Sequence, residues 1–299
     1  MVVEKLKRWL LSNTGDLSGK TVAVTGSTGG LGRELCRHLA GLSSSLVLVD
    51  RNSARSEALR EELLADFEGI SVECVRADLE DIVSVRQACE KLSKMPIDVF
   101  IHNAGAYSIP RHKCAGGYDN VFQINFISPY YMIRELLPTL RERQGRVVVV
   151  SSIAHDYSRA DRADVDFSGR EAASKVYGNA KRYLTYSLFE LFAREREASL
   201  AVTHPGISFT NITAHYPRVI FALIKHPMKI IFMKPRRACL SVLRGVFEPC
   251  GYCEWIGPRI LDVWGLPKKK KLNTATPDER AFIGECAERI YSEMKDIDN

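Results

Sequence analysis

The apolar residues of this chain fall into short runs that alternate with amphipathic stretches. Six runs rich in Val, Ile and Leu have the length of buried β-strands, at residues 21–24, 45–49, 71–76, 97–101, 146–150 and 199–203. The segments between them place apolar residues at helical spacing, at 33–42, 54–67, 83–94, 119–140 and 177–194. Strands that alternate with helices at this rhythm predict an α/β fold with a doubly wound parallel sheet, covered by helices on both faces.

The segments outside this alternation predict additions to a single domain. Residues 1–16 predict a lead-in helix, residues 17–265 the main domain, and residues 266–299 a C-terminal basic segment and helix. Residues 216–234 are apolar and basic, but prolines interrupt them too often for a continuous membrane-spanning helix. We therefore predict a C-terminal helical lid over a substrate at about residues 211–237, with contact between a membrane surface and residues 216–234 as the alternative. Further elements are predicted at 238–247 (helix), 253–256 (strand) and 277–294 (helix).

A glycine-rich turn joins the first predicted strand to the helix that follows it. The segment Thr25-Gly-Ser-Thr-Gly-Gly-Leu-Gly32 lies between the apolar run and the first helical pattern. Glycines at such a junction let backbone amides approach a pyrophosphate, and the helix begins with unpaired N–H groups and the positive end of its dipole. Glycine clusters also occur in plain loops, but this position between strand and helix favours phosphate binding and a Rossmann-type fold.

Acidic residues follow the second and third predicted strands. Asp50 lies 24 residues after Gly26, a spacing at which a carboxylate accepts hydrogen bonds from the adenosine ribose hydroxyls. Its charge would repel a 2′-phosphate, which favours NAD over NADP, whereas the neighbouring guanidinium of Arg51 would bind such a phosphate. Two interpretations of Asp78 stay open, namely contact with the adenine ring and an N-cap for the next helix.

Small and polar residues follow the later strands at the same edge of the sheet. His102-Asn-Ala-Gly105 leaves room for a cofactor in the crevice, and Asn103 also has the plain interpretation of fixing its turn. Asn125 lies inside a predicted helix, where an amide is mildly unfavourable unless it faces solvent or has a function. The fifth and sixth strands are followed by Ser151-Ser152 and by His204-Pro-Gly206, which runs on to Thr210.

Tyr177 and Lys181 place a phenol and an ammonium four residues apart, on one face of a predicted helix. A positive charge near a tyrosine favours the ionised phenol, so we expect a lowered pKa and a proton-transfer role for Tyr177. Such a pair also arises by chance as a core tyrosine beside a solvated lysine. The proton-transfer interpretation therefore depends on the other features of the chain.

The composition is that of a globular protein, with 45% hydrophobic and 26% charged residues among 299, which is enough chain to bury a large core. Basic residues exceed acidic ones by 42 to 36, and much of the net charge of +6 lies in Lys268–Lys271 and Arg236–Arg237. So small an excess predicts a solvated face or a weak attraction to anionic lipid rather than nucleic-acid binding.

The eight cysteines are dispersed, which predicts reduced thiols and a cytoplasmic location, with peripheral membrane association left open. Cys250-Gly-Tyr-Cys253 has no second ligand pair at zinc-site spacing, so we expect no metal. The first 13 residues contain no apolar run of the length of a signal sequence.

Taken in order, these motifs resemble the short-chain dehydrogenase/reductase family over roughly residues 17–264. The matching features are Thr25-Gly26 with Gly30 and Gly32, Asn103-Ala104-Gly105, Asn125, Ser151-Ser152, Tyr177 with Lys181, and Pro205-Gly206 with Thr210. Gly26, Gly29 and Gly32 also fit the glycine spacing of the family's extended branch, which includes sugar-nucleotide epimerases. The Asn-Ala-Gly segment and the chain length favour the shorter, classical branch.

The resemblance implies roles for individual residues. It implies that Tyr177 is the catalytic acid/base, that Ser152 rather than Ser151 steadies the substrate oxygen, and that Asn125 supports a proton relay through water. Lys181 would lower the pKa of Tyr177 and hold the nicotinamide ribose. The residues expected to bind the cofactor, NAD or alternatively NADP, are Thr25, Gly26, Ser27, Gly30, Leu31, Gly32, Asp50, Arg51, Asp78, Leu79, Asn103, Ala104, Gly105, Tyr177, Lys181, Pro205, Gly206 and Thr210.

One departure from the family pattern bears on the substrate. Ser152 lies 25 residues before Tyr177, a longer loop than is usual in the family, with His155 near its start and Asp166-Phe167 within it. This arrangement resembles the retinol-dehydrogenase-like and WW-domain-oxidoreductase-like members, which implies a hydrophobic, steroid- or retinoid-like alcohol, ketone or aldehyde as substrate. The alternatives are a catalytically silent NAD(P)-binding regulatory protein and a nucleotide-sugar epimerase or dehydratase. The resemblance leaves homo-oligomer formation open.

Overall fold

The computed structural model describes residues 2–206 and 233–297, and for residues 2–7 the backbone alone. The described strands are β1 (Thr21–Thr25), β2 (Ser45–Asp50), β3 (Val72–Arg76), β4 (Val99–His102), β5 (Arg146–Val150), β6 (Ser199–Thr203), β7 (Glu254–Ile260) and β8 (Trp264–Lys271). The described α-helices are α1 (Val2–Asn13), α2 (Gly30–Ala40), α3 (Ser53–Asp66), α4 (Ile82–Leu92), α5 (Asn120–Phe122), α6 (Ser128–Glu142), α7 (Ala173–Phe192), α8 (Pro235–Phe247) and α9 (Pro277–Lys295). A π-helical turn (Gln123–Ile127) joins α5 to α6, and a short 3₁₀-helix (Ile153–Asp156) follows β5.

The eight strands form a sheet in the order β3-β2-β1-β4-β5-β6-β7-β8, so the chain reverses its direction of winding between β1 and β4. Every pairing from β3 to β7 is parallel, and β8 alone pairs antiparallel, with β7. The predicted doubly wound parallel sheet is therefore confirmed. In such a sheet the crevice at the carboxyl ends of the strands, at the reversal point, is the usual place for a ligand.

Apolar side chains cover both faces of the sheet, which explains why the strands are apolar without interruption. In β1, Val22 and Val24 pack with α2, α3 and α8, whereas Ala23 faces the layer that contains α4, α6 and α7. Helix α9 adds Ile283 and Ile290 to that second layer. The two cores thus hold the strand ends rigidly in place.

The sequence pattern does not predict the antiparallel hairpin at the end of the sheet. The last parallel strand, expected at 253–256, runs from Glu254 to Ile260, and β8 places the basic run Lys268–Lys271 beside it. Lys269, Lys270 and Lys271 pair with carboxylates of this chain, those of Glu248, Asp262 and Glu254, at 2.8, 2.8 and 3.2 Å. Most of the basic run is therefore neutralised within the fold.

The predicted lid at 211–237 and the alternative membrane contact at 216–234 lie largely outside the described residues, which resume at Met233. Within the described residues, no helix is both long and apolar enough to cross a membrane.

Candidate active site

A cavity of about 870 Å³ opens at the carboxyl ends of the central strands. Its lining includes most of the residues that the sequence predicted to bind cofactor or substrate: Thr25, Gly26, Gly30, Leu31, Gly32, Asp50, Arg51, Asp78, Leu79, Asn103, Ala104, Gly105, Ser152, Tyr177, Lys181, Pro205 and Gly206. Ser27 and Asn125 are not in the lining, and Thr210 lies outside the described residues. The cavity has the size of a site for a cofactor and a small molecule.

The glycine turn at one end of the cavity needs glycine at two positions. Gly26 has a φ of +66° and lies so close to Ala104 that an added Cβ would be 2.9 Å from its Cα. A Cβ on Gly32 would lie 2.1 Å from the carbonyl oxygen of Gly26, so only hydrogen fits there. The Thr25 hydroxyl connects the turn to the segment after β4, because it accepts hydrogen bonds from the amides of Asn103 and Ala104 at 3.1 Å. The turn is thus shaped to leave space above the N-terminus of α2.

Asp50 binds the glycine turn itself. Its carboxylate accepts a hydrogen bond from the Ser27 hydroxyl, one at 3.0 Å from the hydroxyl of Thr28, and one at 3.3 Å from that of Ser56. The side chain of Ser27 is therefore directed at Asp50 and not into the cavity. Asp50 is 6% exposed, whereas Arg51 beside it is exposed at the cavity rim.

The N-cap interpretation of Asp78 is wrong. Helix α4 begins one residue after Asp81, and it is the Asp81 carboxylate that accepts from the Val83 amide at 3.0 Å. Asp78 lies at the cavity edge, with its amide bound to the Ser84 hydroxyl at 3.0 Å.

The two predicted asparagines hold backbone segments together. The amide group of Asn103 donates to the carbonyls of Thr25 and Gly26 at 3.1 and 3.0 Å, so it fixes its turn as the plain interpretation proposed. Asn125 is fully buried, which excludes the solvent-facing interpretation. It donates to the carbonyls of Ala106 and Val121 at 2.8 Å.

The helix that carries Asn125 departs from α-helical geometry at this point. Expected as one helix over 119–140, it contains the π-helical turn Gln123–Ile127, a distortion often found at functional sites. The carbonyl of Val121, one turn earlier, accepts a hydrogen bond from the Asn125 side chain. A Cβ on Gly105 would lie 2.8 Å from Asn125 Oδ1 and 3.5 Å from Lys181 Nζ, so these groups converge behind the cavity wall.

The neighbouring serines have different surroundings. The Ser151 hydroxyl is buried and lies 2.6 Å from the hydroxyl of Thr185, within the core. Ser152 caps the 3₁₀-helix, where its hydroxyl accepts from the Ala154 amide at 3.2 Å, and it lies near enough to Tyr177 to lower the pKa of the phenol. Of the two, Ser152 is the one beside the tyrosine.

The pKa of Tyr177 is shifted in the direction opposite to the prediction. Burial raises it to about 12, although the hydrogen bond with Ser152 lowers it in part. Lys181 does not act as a strong counterion: its Nζ lies 5.8 Å from the centroid of the Tyr177 ring and donates to the carbonyl of Val150 at 3.0 Å. Burial lowers the pKa of Lys181 itself to about 7. Among the described residues, no positively charged group lowers the pKa of Tyr177 appreciably.

The sequence pattern did not predict a buried hydrogen-bond network that ends at the carbonyl of Ser152. His155 Nδ1 lies 2.7 Å from the carbonyl oxygen of Ser152, and its Nε2 lies 3.0 Å from the hydroxyl of Thr274. Because a carbonyl only accepts, Nδ1 carries the proton, and Nε2 accepts from Thr274. The hydroxyl of Tyr186 lies 2.5 Å from that of Thr274 and, with Thr274 donating to His155, is the donor of that bond. A series of hydrogen bonds thus leads from Tyr186 of α7 through Thr274 and His155 to the carbonyl of Ser152.

Arg182, directly after Lys181, ties the same segments together. Its buried guanidinium donates to the carbonyls of His155 and Thr274 at 3.0 and 2.6 Å, and binds the Glu279 carboxylate through two bonds of 2.6 Å. No local sequence pattern points to this pair, because its partners are 97 residues apart.

Tyr107 is a further residue of the site that the sequence pattern did not predict. Its ring meets that of Tyr177 edge-on, with the centroids 5.3 Å apart, and it lines the cavity. Its only signal in the sequence is its place two residues after the Asn-Ala-Gly segment. Beyond it the lining is mainly apolar, with Ile109, Ile153 and Tyr157.

The cysteines and acidic residues offer no metal centre within residues 2–206 and 233–297, where no group of three or more His, Cys, Asp or Glu residues is arranged to hold an ion. All eight thiols are free. Burial raises the pKa of each of them.

Comparison with known proteins agrees with this geometry. The family model described as short chain dehydrogenase matches residues 20–163. A dehydrogenase/reductase named FEY from Arabidopsis thaliana is 27% identical, over 93% of this chain and 78% of that protein. Polyprenol dehydrogenase from Homo sapiens and retinol dehydrogenase 12 from Mus musculus are each 29% identical over 66% of this chain. The chain spans 63% and 64% of the lengths of these two relatives, just under two thirds.

Among solved structures, a protein of uncharacterised function from Mycobacterium paratuberculosis superimposes with a TM-score of 0.76. The match covers 94% of this chain and 96% of that one at 22% identity, which supports the fold alone.

Proposed function

Because this chain belongs to the short-chain dehydrogenase/reductase family, we propose that it transfers a hydride between a nicotinamide dinucleotide and a hydrophobic alcohol or carbonyl compound. The observation that carries the proposal is that Tyr177, Ser152 and Lys181 line the same cavity as the glycine turn.

In the proposed reaction Tyr177 takes the proton of the substrate hydroxyl as hydride leaves the same carbon, and returns it in the reverse direction. The Ser152 hydroxyl donates to the reacting oxygen and orients it. When bound, an oxidised nicotinamide accepts the hydride and brings a positive charge. Such a charge would lower the pKa of Tyr177, which the described residues leave at about 12.

The residues around the turn fit a dinucleotide. Gly26 and Gly32 let the turn pack closely against Ala104 and against itself, and the first residues of α2 line the cavity, where their amides could bind a phosphate. One of the three N–H groups of Lys181 binds Val150, which leaves two donors for ribose hydroxyls. The Asp50 carboxylate at the end of β2 favours NAD, and the exposed Arg51 keeps NADP as the second candidate.

The proposed substrate class is lipophilic. The part of the cavity beyond Tyr177 is lined by Tyr107, Ile109, Ile153 and Tyr157, a surface suited to an apolar molecule. Two relatives bear names that specify such substrates, a polyprenol and retinol dehydrogenase. The long loop between Ser152 and Tyr177 supports the same assignment.

The test of the mechanism is Tyr177→Phe. Loss of the phenolic proton should lower kcat by about 10²- to 10⁴-fold, the usual contribution of a positioned acid/base group, with little change in the Kd of the cofactor. Absorbance of the reduced nicotinamide measures turnover with a panel from short alcohols to steroids, retinol and nucleotide sugars. Tyr252→Phe, outside the cavity, is the matched control.

Three outcomes of this assay would argue against the proposal. Retained activity in Tyr177→Phe would remove the assigned role of the tyrosine. Turnover of nucleotide sugars alone would favour the epimerase or dehydratase alternative. Cofactor binding by the wild-type protein without turnover of any member of the panel would favour the regulatory alternative.

A further inference from the structure

The turn between β7 and β8 concentrates exposed apolar side chains. Of the eight large apolar side chains that are exposed in the described part of the chain, four lie at this turn: Ile260 (55% exposed), Leu261 (87%), Trp264 (41%) and Leu266 (44%). Ile260 pairs with Trp264 across the hairpin, and the alternation along β8 puts Leu266 on the same face as Trp264. We call these four residues the hairpin tip. Clustering of this kind, unlike scattered single residues, marks an interaction surface.

The hairpin that carries the tip is strongly cationic. Residues 254–271, which form the hairpin, include five basic residues and two acidic ones, Asp262 and Glu254, which pair with Lys270 and Lys271 at 2.8 and 3.2 Å. Arg259 and Lys268 are exposed, and among the described residues neither forms an ion pair, whereas Lys269 and Lys271 do. The apolar tip is thus flanked by two basic side chains that have no acidic partner among the described residues.

The tip is joined to the cavity through the backbone. The Asp262 carbonyl lies 2.9 Å from Nε2 of His204, a cavity residue whose ring stacks on Trp255 of β7 at 5.2 Å. A Cβ on Gly206, also in the lining, would lie 2.8 Å from the carbonyl oxygen of Val263. The surface that carries the tip therefore borders the mouth of the cavity.

From these observations we propose that the hairpin tip docks the protein on the surface of an anionic lipid bilayer. Apolar side chains enter the interface between headgroups and acyl chains, while Arg259 and Lys268 remain among the lipid phosphates. The proposal locates membrane contact at a segment different from 216–234, and it does not depend on the proposed catalytic activity.

A second copy of the chain is the less suitable partner. In a two-fold dimer the same patch meets itself, which would bring Arg259 and Lys268 of both copies together without an acidic counterpart. Four side chains at a turn also offer far less than the roughly 800 Å² per partner of a standard protein interface. A bilayer accepts a small protruding tip and supplies the negative charge.

The test is co-sedimentation of the full chain with vesicles of phosphatidylcholine, with and without phosphatidylserine. The wild-type protein should bind the mixed vesicles more strongly, and less so at high salt. Leu261→Ser should lower the partition coefficient about tenfold, since one leucine leaves the interface. Arg259→Glu with Lys268→Glu should abolish the preference for phosphatidylserine. Leu64→Ser, an exposed leucine of α3, is the matched control and should bind as the wild type does.

Circular dichroism and Kd for the cofactor, both expected to be unchanged, confirm that the variants are folded. Equal vesicle binding by the wild type and Leu261→Ser, or none by the wild type, would overturn the proposal. Light scattering after size exclusion distinguishes the other partner: a dimer that Leu261→Ser dissociates, with vesicle binding unaffected, would assign the tip to a second copy of the chain.

Discussion

At the scale of single residues, Lys181 shows how a catalytic candidate differs from an ordinary core residue. Lys181 is 2% exposed, on a helix that also buries Arg182 and Thr185, and the sequence around it does not distinguish it from a solvent-exposed lysine. Spacing predicted its proximity to Tyr177 but not the effect of burial, which lowers the pKa of Lys181 and raises that of Tyr177. Desolvation depends on the packing of distant elements. Sequence spacing alone therefore gave the wrong direction for the pKa shift of Tyr177.

The buried ammonium should cost folding free energy in a pH-dependent way. Because burial lowers the pKa of Lys181 from 10.5 to about 7, the unfolded chain binds more protons between these values. The penalty is therefore fully present below about pH 7 and fades as the pH rises. We expect Lys181→Met, measured by denaturant unfolding, to gain stability relative to the wild type at about pH 7, and to lose about 2 kcal/mol of that advantage by about pH 9. A difference that is the same at both pH values would contradict the assigned shift.

Asp50 has two proposed roles, in cofactor selectivity and in holding the glycine turn, and two substitutions can separate them. Asp50→Ala should weaken NAD binding and relatively favour NADP, because it removes a charge that repels a 2′-phosphate beside Arg51. It should also loosen the glycine turn, since the hydroxyls of Ser27 and Thr28 lose their acceptor. Asp50→Asn keeps an acceptor and is the control for the second effect. Isothermal titration with both cofactors gives the ratio of affinities, and an unchanged ratio in both variants would refute the role in selectivity.

At the scale of elements, the regular strands and helices were predictable from apolar periodicity, and the irregular ones were not. The π-helical turn around Asn125 has no periodic pattern, because one extra residue is absorbed without a change in composition. Strand β8 was missed because its lysines suggested solvated chain, whereas their ion pairs with Glu248, Asp262 and Glu254 form only after folding. Both errors concern elements that long-range contacts determine.

The series of hydrogen bonds through His155 predicts that a distant hydroxyl affects catalysis. Thr274→Val removes the donor to His155 Nε2, so the imidazole is no longer held in the form that donates to the Ser152 carbonyl. Since one hydrogen bond contributes about 1 kcal/mol, kcat should fall about fivefold, while the Kd of the cofactor and the KM of the substrate change little. Thr139→Val, whose hydroxyl binds the Ser93 carbonyl at an exposed site, is the control. An unchanged kcat in Thr274→Val would show that Ser152 is positioned without His155.

At the scale of the whole molecule, a buried ion pair between Arg182 and Glu279 joins the C-terminal helix α9 to α7. The Arg182 side chain is fully buried, and that of Glu279 is 13% exposed. The order of motifs predicted the sheet and the cavity, because the carboxyl ends of parallel strands necessarily meet. It could not predict that α9 closes the structure through Arg182, because an arginine beside a lysine on a helix suggests solvent exposure.

Breaking this ion pair should cost more than breaking a surface pair. Burial alone would raise the pKa of Glu279, but hydrogen bonds from Arg182 and the Ala160 amide hold it below its usual value. The folded chain therefore binds fewer protons than the unfolded one near the usual carboxyl pKa, so this stabilisation is present above about pH 4.5 and is lost as the pH falls further. Glu279→Gln should lower the free energy of unfolding at neutral pH by about 3 kcal/mol.

Denaturant unfolding at neutral and acidic pH measures this effect. Below about pH 4 the difference between Glu279→Gln and the wild type should shrink, since both then lack the carboxylate. Glu57→Gln, which breaks the exposed pair with Arg60, should cost less than about 0.5 kcal/mol. A loss in Glu279→Gln no larger than in Glu57→Gln would mean that the other contacts of α9 hold it in place without the pair with Arg182.

The outermost strand has a consequence for the behaviour of the protein at high concentration. An edge strand presents unpaired N–H and C=O groups to which another chain can add, and lysines and proline are the common protection against such addition. In β8 this protection comes from Pro267 and the four lysines that follow it. Acetylation of those lysines would remove the charge and leave an unguarded β-edge, so chemically acetylated protein should form intermolecular sheet, seen as rising light scattering and infrared absorption, where the unmodified protein stays dispersed.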